Sequence, residues 1–395
     1  MSVKTLTEKQ KQAYRNLNIP ESNRIVLAMD GGGIRGILTL QLLKKIEEIA
    51  GIPCYEFCDL IAGTSTGAII AGLISAKKTA AEIEQLYIQL VTKVFLKRSL
   101  LASRFLNPPA YDKRNYRATL KSLVGDLTME QACDQTGIDL FITAKDVTDN
   151  EETFFTCFNI DGVRKGTYRT SLLRSVMEAT MSAPTYFNPL ERFIDGGTTT
   201  YNNPSMAALL EALRYDGRGK YVREELTMFS LGTGRTVRSV SPKDALNPKG
   251  LDVYFWLNYV MDESSQDASS MQIDTLRSGL INIDYRRYQI SFDTAAIGKL
   301  PNQDISDLHV VNADWLHDLT NEELNGIEMD DVNSFGIVKA IGEAMVNYIM
   351  QHNKFTRDLN DTPTRRDELI TAFGDIAKIK AQMQNPDWLD KKIVT

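Results

Sequence analysis

The stretch DLIAGTSTG, residues 59–67, constrains this chain more than any other. Residues 59–63, apolar after Asp59, read as a buried strand, and the Ala/Ile-rich residues 65–76 read as a helix. Gly63-Thr64-Ser65-Thr66-Gly67 falls between them. A strand that turns straight into a helix through G-x-S-x-G leaves the serine at the end of a sheet, with glycines where larger side chains would collide. The neighbouring pattern agrees. Residues 24–30 (RIVLAMD) form another short apolar strand, a glycine run follows, and residues 34–50 repeat with helical spacing until Gly51-Ile52-Pro53 ends them.

Further strands are expected over 140–145 and 153–159, joined by an Asp149-Asn150 turn, then one ending at Asp195, one over 226–231 and one near 288–292. Helices are expected over 171–181, after Pro204, and over 334–352, where Phe335, Val338, Ile341, Ala344 and Tyr348 share a stripe. Alternating strands and helices predict an α/β fold: a central, mostly parallel sheet with helices on both faces. The expected division is a polar segment over 1–23, an α/β domain over 24–250, and a mainly helical extension over 251–395 packed on the core.

Composition removes several function classes. The 395 residues are 43% apolar and 24% charged, ordinary for a globular protein, and the net charge of −6 argues against general nucleic-acid binding. Cys54, Cys58, Cys133 and Cys157 are too few and too scattered for a disulfide framework or a zinc site, so four buried or half-buried free thiols are expected and no metal. The first twenty residues hold no apolar core of a signal peptide, and no run of 18 apolar residues occurs; a cytoplasmic protein is expected, with any lipid contact peripheral. Between Lys93 and Lys121 eight basic residues meet one acid, interleaved with Phe95, Leu100, Phe105 and other apolar residues. That pattern is either a solvated face or a contact with an anionic lipid surface. Residues 302–331 carry nine acids and no Lys or Arg, and read as a solvated face. Oligomeric state is not legible.

Two more motifs bear on chemistry. Asp30-Gly31-Gly32-Gly33-Ile34-Arg35-Gly36 contains G-x-G-x-x-G between a strand and a helix, where unpaired amides and the helix dipole suit an anion. The anion is either a dinucleotide pyrophosphate or the oxyanion of acyl transfer, unless the loop is a structural turn. A dinucleotide site also wants an acid ending the next strand, and Glu47, Glu48 and Asp59 are misplaced for it. With Ser65 following so soon, the nucleophile reading outweighs a structural turn. A serine needs a base, yet His309, His317 and His352 all sit in C-terminal segments that read as structural. The remaining candidate is Asp195 in Phe193-Ile194-Asp195-Gly196-Gly197, at a strand end followed by two glycines; alone, D-G-G would be a turn. A carboxylate is a weak base for a hydroxyl, but exclusion from water and an oxyanion hole make the transfer workable.

DGGGIRG, GTSTG and DGG, in that order, resemble the three signatures of the patatin-like phospholipase family, over about residues 24–234. SAPTYFNP (182–189), NNP (202–204) and SLGTG (230–234) resemble its core, with weaker likeness in DYRRYQI (284–290) and in residues 329–345. The resemblance implies a lipid acyl hydrolase of phospholipase A type that uses no metal or cofactor. Ser65 would be the nucleophile, Asp195 the base, and the Gly31, Gly32 and Gly33 amides the oxyanion hole. Arg35 would orient that loop or meet a lipid phosphate, and Gly36, Gly63, Gly67, Gly196 and Gly197 would support the turns. Some bacterial members of the family are membrane-damaging effectors of anti-phage defence switched on by a cyclic nucleotide, which is an alternative role for the same chemistry. A nucleotide-binding module using the Gly31–Gly36 loop is the distant alternative.

Overall fold

A computed structural model of the chain describes residues 5–94, 111–157, 168–214, 220–236, 253–301, 315–352, 355 and 376–387. Its strands are β1 (Arg24–Met29), β2 (Leu60–Thr64), β3 (Asp139–Asp146), β4 (Glu151–Thr156), β5 (Phe193–Asp195), β6 (Leu226–Leu231), β7 (Arg235–Thr236), β8 (Asp284–Tyr288) and β9 (Ser291–Phe292). The main sheet runs β4-β3-β2-β1-β6-β8, with β5 also on β3, while β7 and β9 form a separate pair. β3, β2, β1, β6 and β8 are parallel, and β4 and β5 run against β3. The mostly parallel sheet is therefore observed, and β8 continues it into the region beyond residue 250.

The central strands are buried on both faces, with successive side chains pointing to opposite sides of the sheet. Ile25, Leu27, Met29 and Ile61 join one apolar cluster, whereas Val26, Ala28, Leu60 and Ala62 join a second on the opposite face. Helices Gly36–Ala50, Thr66–Ser75, Ala80–Val94 and Phe335–His352 cover the first face, and Ser205–Arg214 with the end of Val253–Arg277 covers the second. Among the described residues no helix is long and apolar enough to cross a membrane.

The length of β3 sets up the site. Its first residues pair with β2 as far as Thr64↔Thr143, and its last three, which overrun β2, pair with β5 through Ala144↔Asp195. β4 occupies the other edge of β3, so β5 can only lie beyond the end of β2. Asp195 thereby arrives beside the turn that follows Thr64.

One expectation is overturned. Cys133 and Cys157 form a disulfide, with Cα atoms 6.8 Å apart, and only Cys54 and Cys58 are free, both buried. The cause is the β3–β4 hairpin. Cys133 lies on the Met129–Thr136 helix just before β3, and the antiparallel return of β4 brings Cys157 back to that end, where its amide bonds the Leu140 carbonyl. Chain separation does not report such a return. Residues 158 and 159, expected to continue β4, lie outside the described residues, as do Lys97, Arg98, Arg104 and His309.

Candidate active site

Ser65 occupies the turn between β2 and the Thr66–Ser75 helix at φ 52°, ψ −119°, a backbone state that a side chain rarely adopts. The turn closes only because its flanks are bare. A Cβ on Gly63 would lie 2.5 Å from the Gly67 carbonyl, and one on Gly67 would collide with the Met29 carbonyl of β1. The Ser65 amide donates to the Thr180 hydroxyl at 2.8 Å, which fixes the turn from the Leu173–Thr180 helix.

The Ser65 hydroxyl donates to Asp195 Oδ2 at 2.7 Å, and Met181 Sδ lies 3.4 Å from Ser65 Oγ. Asp195 Oδ1 accepts the Gly197 amide at 2.7 Å, while the Asp195 amide donates to the Ser182 carbonyl. Gly196 packs against Thr143, where a Cβ would collide with its hydroxyl. Both side chains are buried, with exposures of 8% for Ser65 and 5% for Asp195. Burial pushes the Asp195 carboxyl up to about 6, although the bonds from Ser65 and Gly197 pull it down. A carboxylate so tuned can accept a proton near neutrality.

The glycine loop faces this pair from the end of β1, where a Cβ on Gly31 would lie 3.2 Å from Ser65 Cβ. The Gly31 amide donates to the Asn202 carbonyl at 3.2 Å. The Gly32 and Gly33 amides have no acceptor among the described residues. Gly33 opens a short 3₁₀ turn over Gly33–Arg35 that runs into the Gly36–Ala50 helix, so its amide is one of the orphan donors of a helical start. The Arg35 guanidinium lies 5.9 Å from the centre of the Phe292 ring.

Of the described histidines, His317 bonds the Leu300 carbonyl and His352 that of Tyr348. Among the described residues no group of three or more His, Cys, Asp or Glu could hold a metal ion. From the basic segment, Lys113 and Arg117 turn onto the buried carboxylate of Glu178, and Lys113 also donates to the Ser182 hydroxyl. Thr180, Met181 and Thr143 carry no chemical motif in sequence and become visible only as neighbours in space.

A family model described as Patatin-like phospholipase matches residues 27–209, which include the glycine loop, Ser65 and Asp195. A cGAMP-activated phospholipase of Escherichia coli (strain TW11681) is 30% identical over 250 residues, covering 59% of this chain and 67% of that protein. The chain belongs to the patatin-like phospholipase family. A cUMP-AMP-activated phospholipase of Escherichia coli is 32% identical over 47% of the chain and 58% of its own length. The 85/88 kDa calcium-independent phospholipase A2 of Mus musculus is 29% identical over 53% of the chain, which spans 27% of that longer protein.

Proposed function

We propose that this patatin-like protein is a phospholipase A-type lipid acyl hydrolase working through Ser65 and Asp195. The 2.7 Å bond from the buried Ser65 hydroxyl to the Asp195 carboxylate carries the reading. Ser65 Oγ attacks the ester carbonyl carbon as its proton passes to Asp195 Oδ2. The carbonyl oxygen becomes an oxyanion, received by the Gly32 and Gly33 amides, with the Gly31 amide already bonded to Asn202 and serving the loop's shape. Collapse of the intermediate breaks the ester C–O bond, and the leaving alcohol takes the proton back from Asp195. A water then gives a proton to Asp195 and attacks the acyl-serine. The fatty acid leaves and Ser65 regains its hydrogen.

Purified wild-type, Ser65→Ala and Asp195→Asn proteins, assayed on a short-chain ester and on phosphatidylcholine vesicles, test this. Both variants should lose at least a thousandfold, on the order of what removing a nucleophile or its base costs. Hydrolysis by Ser65→Ala at the wild-type rate would defeat the mechanism. The segment from Lys93 to Lys121 supplies the peripheral contact with anionic lipid, which flotation on vesicles with and without phosphatidylserine checks.

Likeness to two phospholipases named for activation by cGAMP and cUMP-AMP favours a second reading, in which a cyclic dinucleotide switches on the same chemistry. Full activity without nucleotide, unchanged on its addition, would dismiss that reading and leave the hydrolase standing.

A further inference from the structure

Tyr87 lies on the Ala80–Val94 helix, has no charge to offer a substrate, and is fully buried. Its hydroxyl nevertheless reaches two parts of the site. It donates to the carbonyl of Gly33, the last of the three consecutive glycines, and lies 2.6 Å from the hydroxyl of Thr66, the residue after the proposed nucleophile. A phenol has one proton. With that proton on the Gly33 carbonyl, the Thr66 hydroxyl must be the donor to Tyr87, giving a chain from Thr66 to Tyr87 to Gly33. Burial raises the Tyr87 phenol well above its ordinary value, so it stays protonated and the chain keeps its direction at any working pH.

The other end of the same peptide unit is also held. The Ile34 amide, bonded covalently to the Gly33 carbonyl carbon, donates to the Met329 carbonyl at 2.8 Å. The Gly33–Ile34 peptide is thus gripped by Tyr87 on its oxygen and by Met329 on its nitrogen. Gly33 has φ +56°, and a Cβ on it would collide with the Met329 carbonyl, so the residue that most easily changes conformation stands at this grip. Gly36 makes room for the bridge. A Cβ there would lie 2.7 Å from the Tyr87 hydroxyl and 2.8 Å from that of Thr66. The Gly36 amide also bonds the Gly33 carbonyl, but that bond lies within the loop and cannot fix its position relative to Ser65. Tyr87 can, because it touches both sides.

We infer that Tyr87 is a positioning residue for acyl transfer: its hydroxyl sets the spacing and orientation of the Gly32 and Gly33 amides relative to Ser65 by bridging the Gly33 carbonyl to Thr66. The inference rests on the hydrolase reading above. An oxyanion hole works by donors aimed in advance at the developing charge, and small displacements of such groups are expensive in rate. Tyr87→Phe keeps the ring and deletes the bridge.

The test compares wild type, Ser65→Ala, Tyr87→Phe and Phe335→Leu on one soluble ester across pH. Phe335 stacks on the Tyr87 ring with centroids 6.4 Å apart and makes a packing control that spares the hydroxyl. Tyr87→Phe should lower kcat about 10- to 100-fold, on the scale of a misaligned oxyanion donor, with KM within about twofold. Its acid limb should keep the wild-type midpoint, because Asp195 is untouched. Phe335→Leu should lower the melting temperature and leave kcat within about twofold. A Tyr87→Phe enzyme with wild-type kcat, or a kcat that tracks melting temperature across both variants, overturns the inference. If Tyr87→Phe does not fold, Thr66→Val is read by the same criteria: reduced kcat at constant KM supports the bridge, and unchanged kcat overturns it. Failure of the hydrolase reading would look different, as Ser65→Ala would then match wild type.

Discussion

The guanidinium of Arg287 clasps the carboxylate of Asp30 through two bonds, at 2.8 and 2.5 Å, with both side chains buried. Asp30 is the residue before the glycine loop, and Arg287 comes from β8, beyond the region that the family model matches. The same Arg287 donates to Ser230, which contacts Ser205, whose hydroxyl bonds Asn203 beside the acceptor of the Gly31 amide. One cation thereby braces the glycine loop and the Asn202-Asn203 loop together.

Removing one member of a buried pair strands the other charge. Arg287→Met should lose about 3–5 kcal/mol of unfolding free energy in urea titrations. Asp30→Asn combined with Arg287→Met should recover more than half of that loss, because no charge is then left unpaired. A single variant as stable as wild type would show that Asp30 does not depend on Arg287.

The pH dependence follows from Asp195, whose carboxyl is raised to about 6. In the proposed mechanism Asp195 must be ionised to accept the proton of Ser65, so kcat/KM should fall tenfold per unit below a midpoint near 6. Stability has the opposite sense. A raised carboxyl means that the fold favours the protonated form, so its contribution is present below about pH 4 and is lost as pH rises through 6. Asp195→Asn should therefore be more stable than wild type at pH 8, by on the order of 3 kcal/mol, and equal to it near pH 4. Thermal melts of both proteins across pH provide the measurement, and a gap that widens toward acid would contradict the assignment.

Ser65 holds its strained turn at φ 52° without a compensating glycine. Ser65→Gly should unfold at higher denaturant than Ser65→Ala, by about 1–3 kcal/mol, since both lack the hydroxyl and only one relieves the backbone. Equal midpoints would mean the turn stores nothing.

The Cys133–Cys157 disulfide closes a loop across a sequence separation of 24. Replacing both cysteines by alanine should cost about 3 kcal/mol through the freed unfolded chain. The wild-type value of kcat should survive, because neither sulfur touches Ser65 or Asp195. Denaturation with and without dithiothreitol should show the same difference in wild type and none in the double variant.

What was legible in the sequence is what short-range sterics control. The continuous apolar runs of β1 and β2, the breaks at glycine, and the G-x-S-x-G turn follow from residues within a few positions of each other, so the sheet, its helices and the candidate nucleophile could be read directly. The candidate base was legible only as a strand-end aspartate. Its reach to Ser65 depends on how far β3 overruns β2, and its proton affinity depends on burial, neither of which is written in Phe193-Ile194-Asp195. The Cys133–Cys157 bond escaped for a related reason: a hairpin brings together residues that spacing leaves apart.

Local sequence determined which backbone could turn where, because glycine, β-branched and apolar side chains act on their immediate neighbours. Tertiary structure alone decided which distant groups would meet. Tyr87 reaches Gly33, Arg287 reaches Asp30, and the Gly31 amide is occupied by Asn202 because sheet register and helix packing, which sum contacts over the whole chain, set those distances.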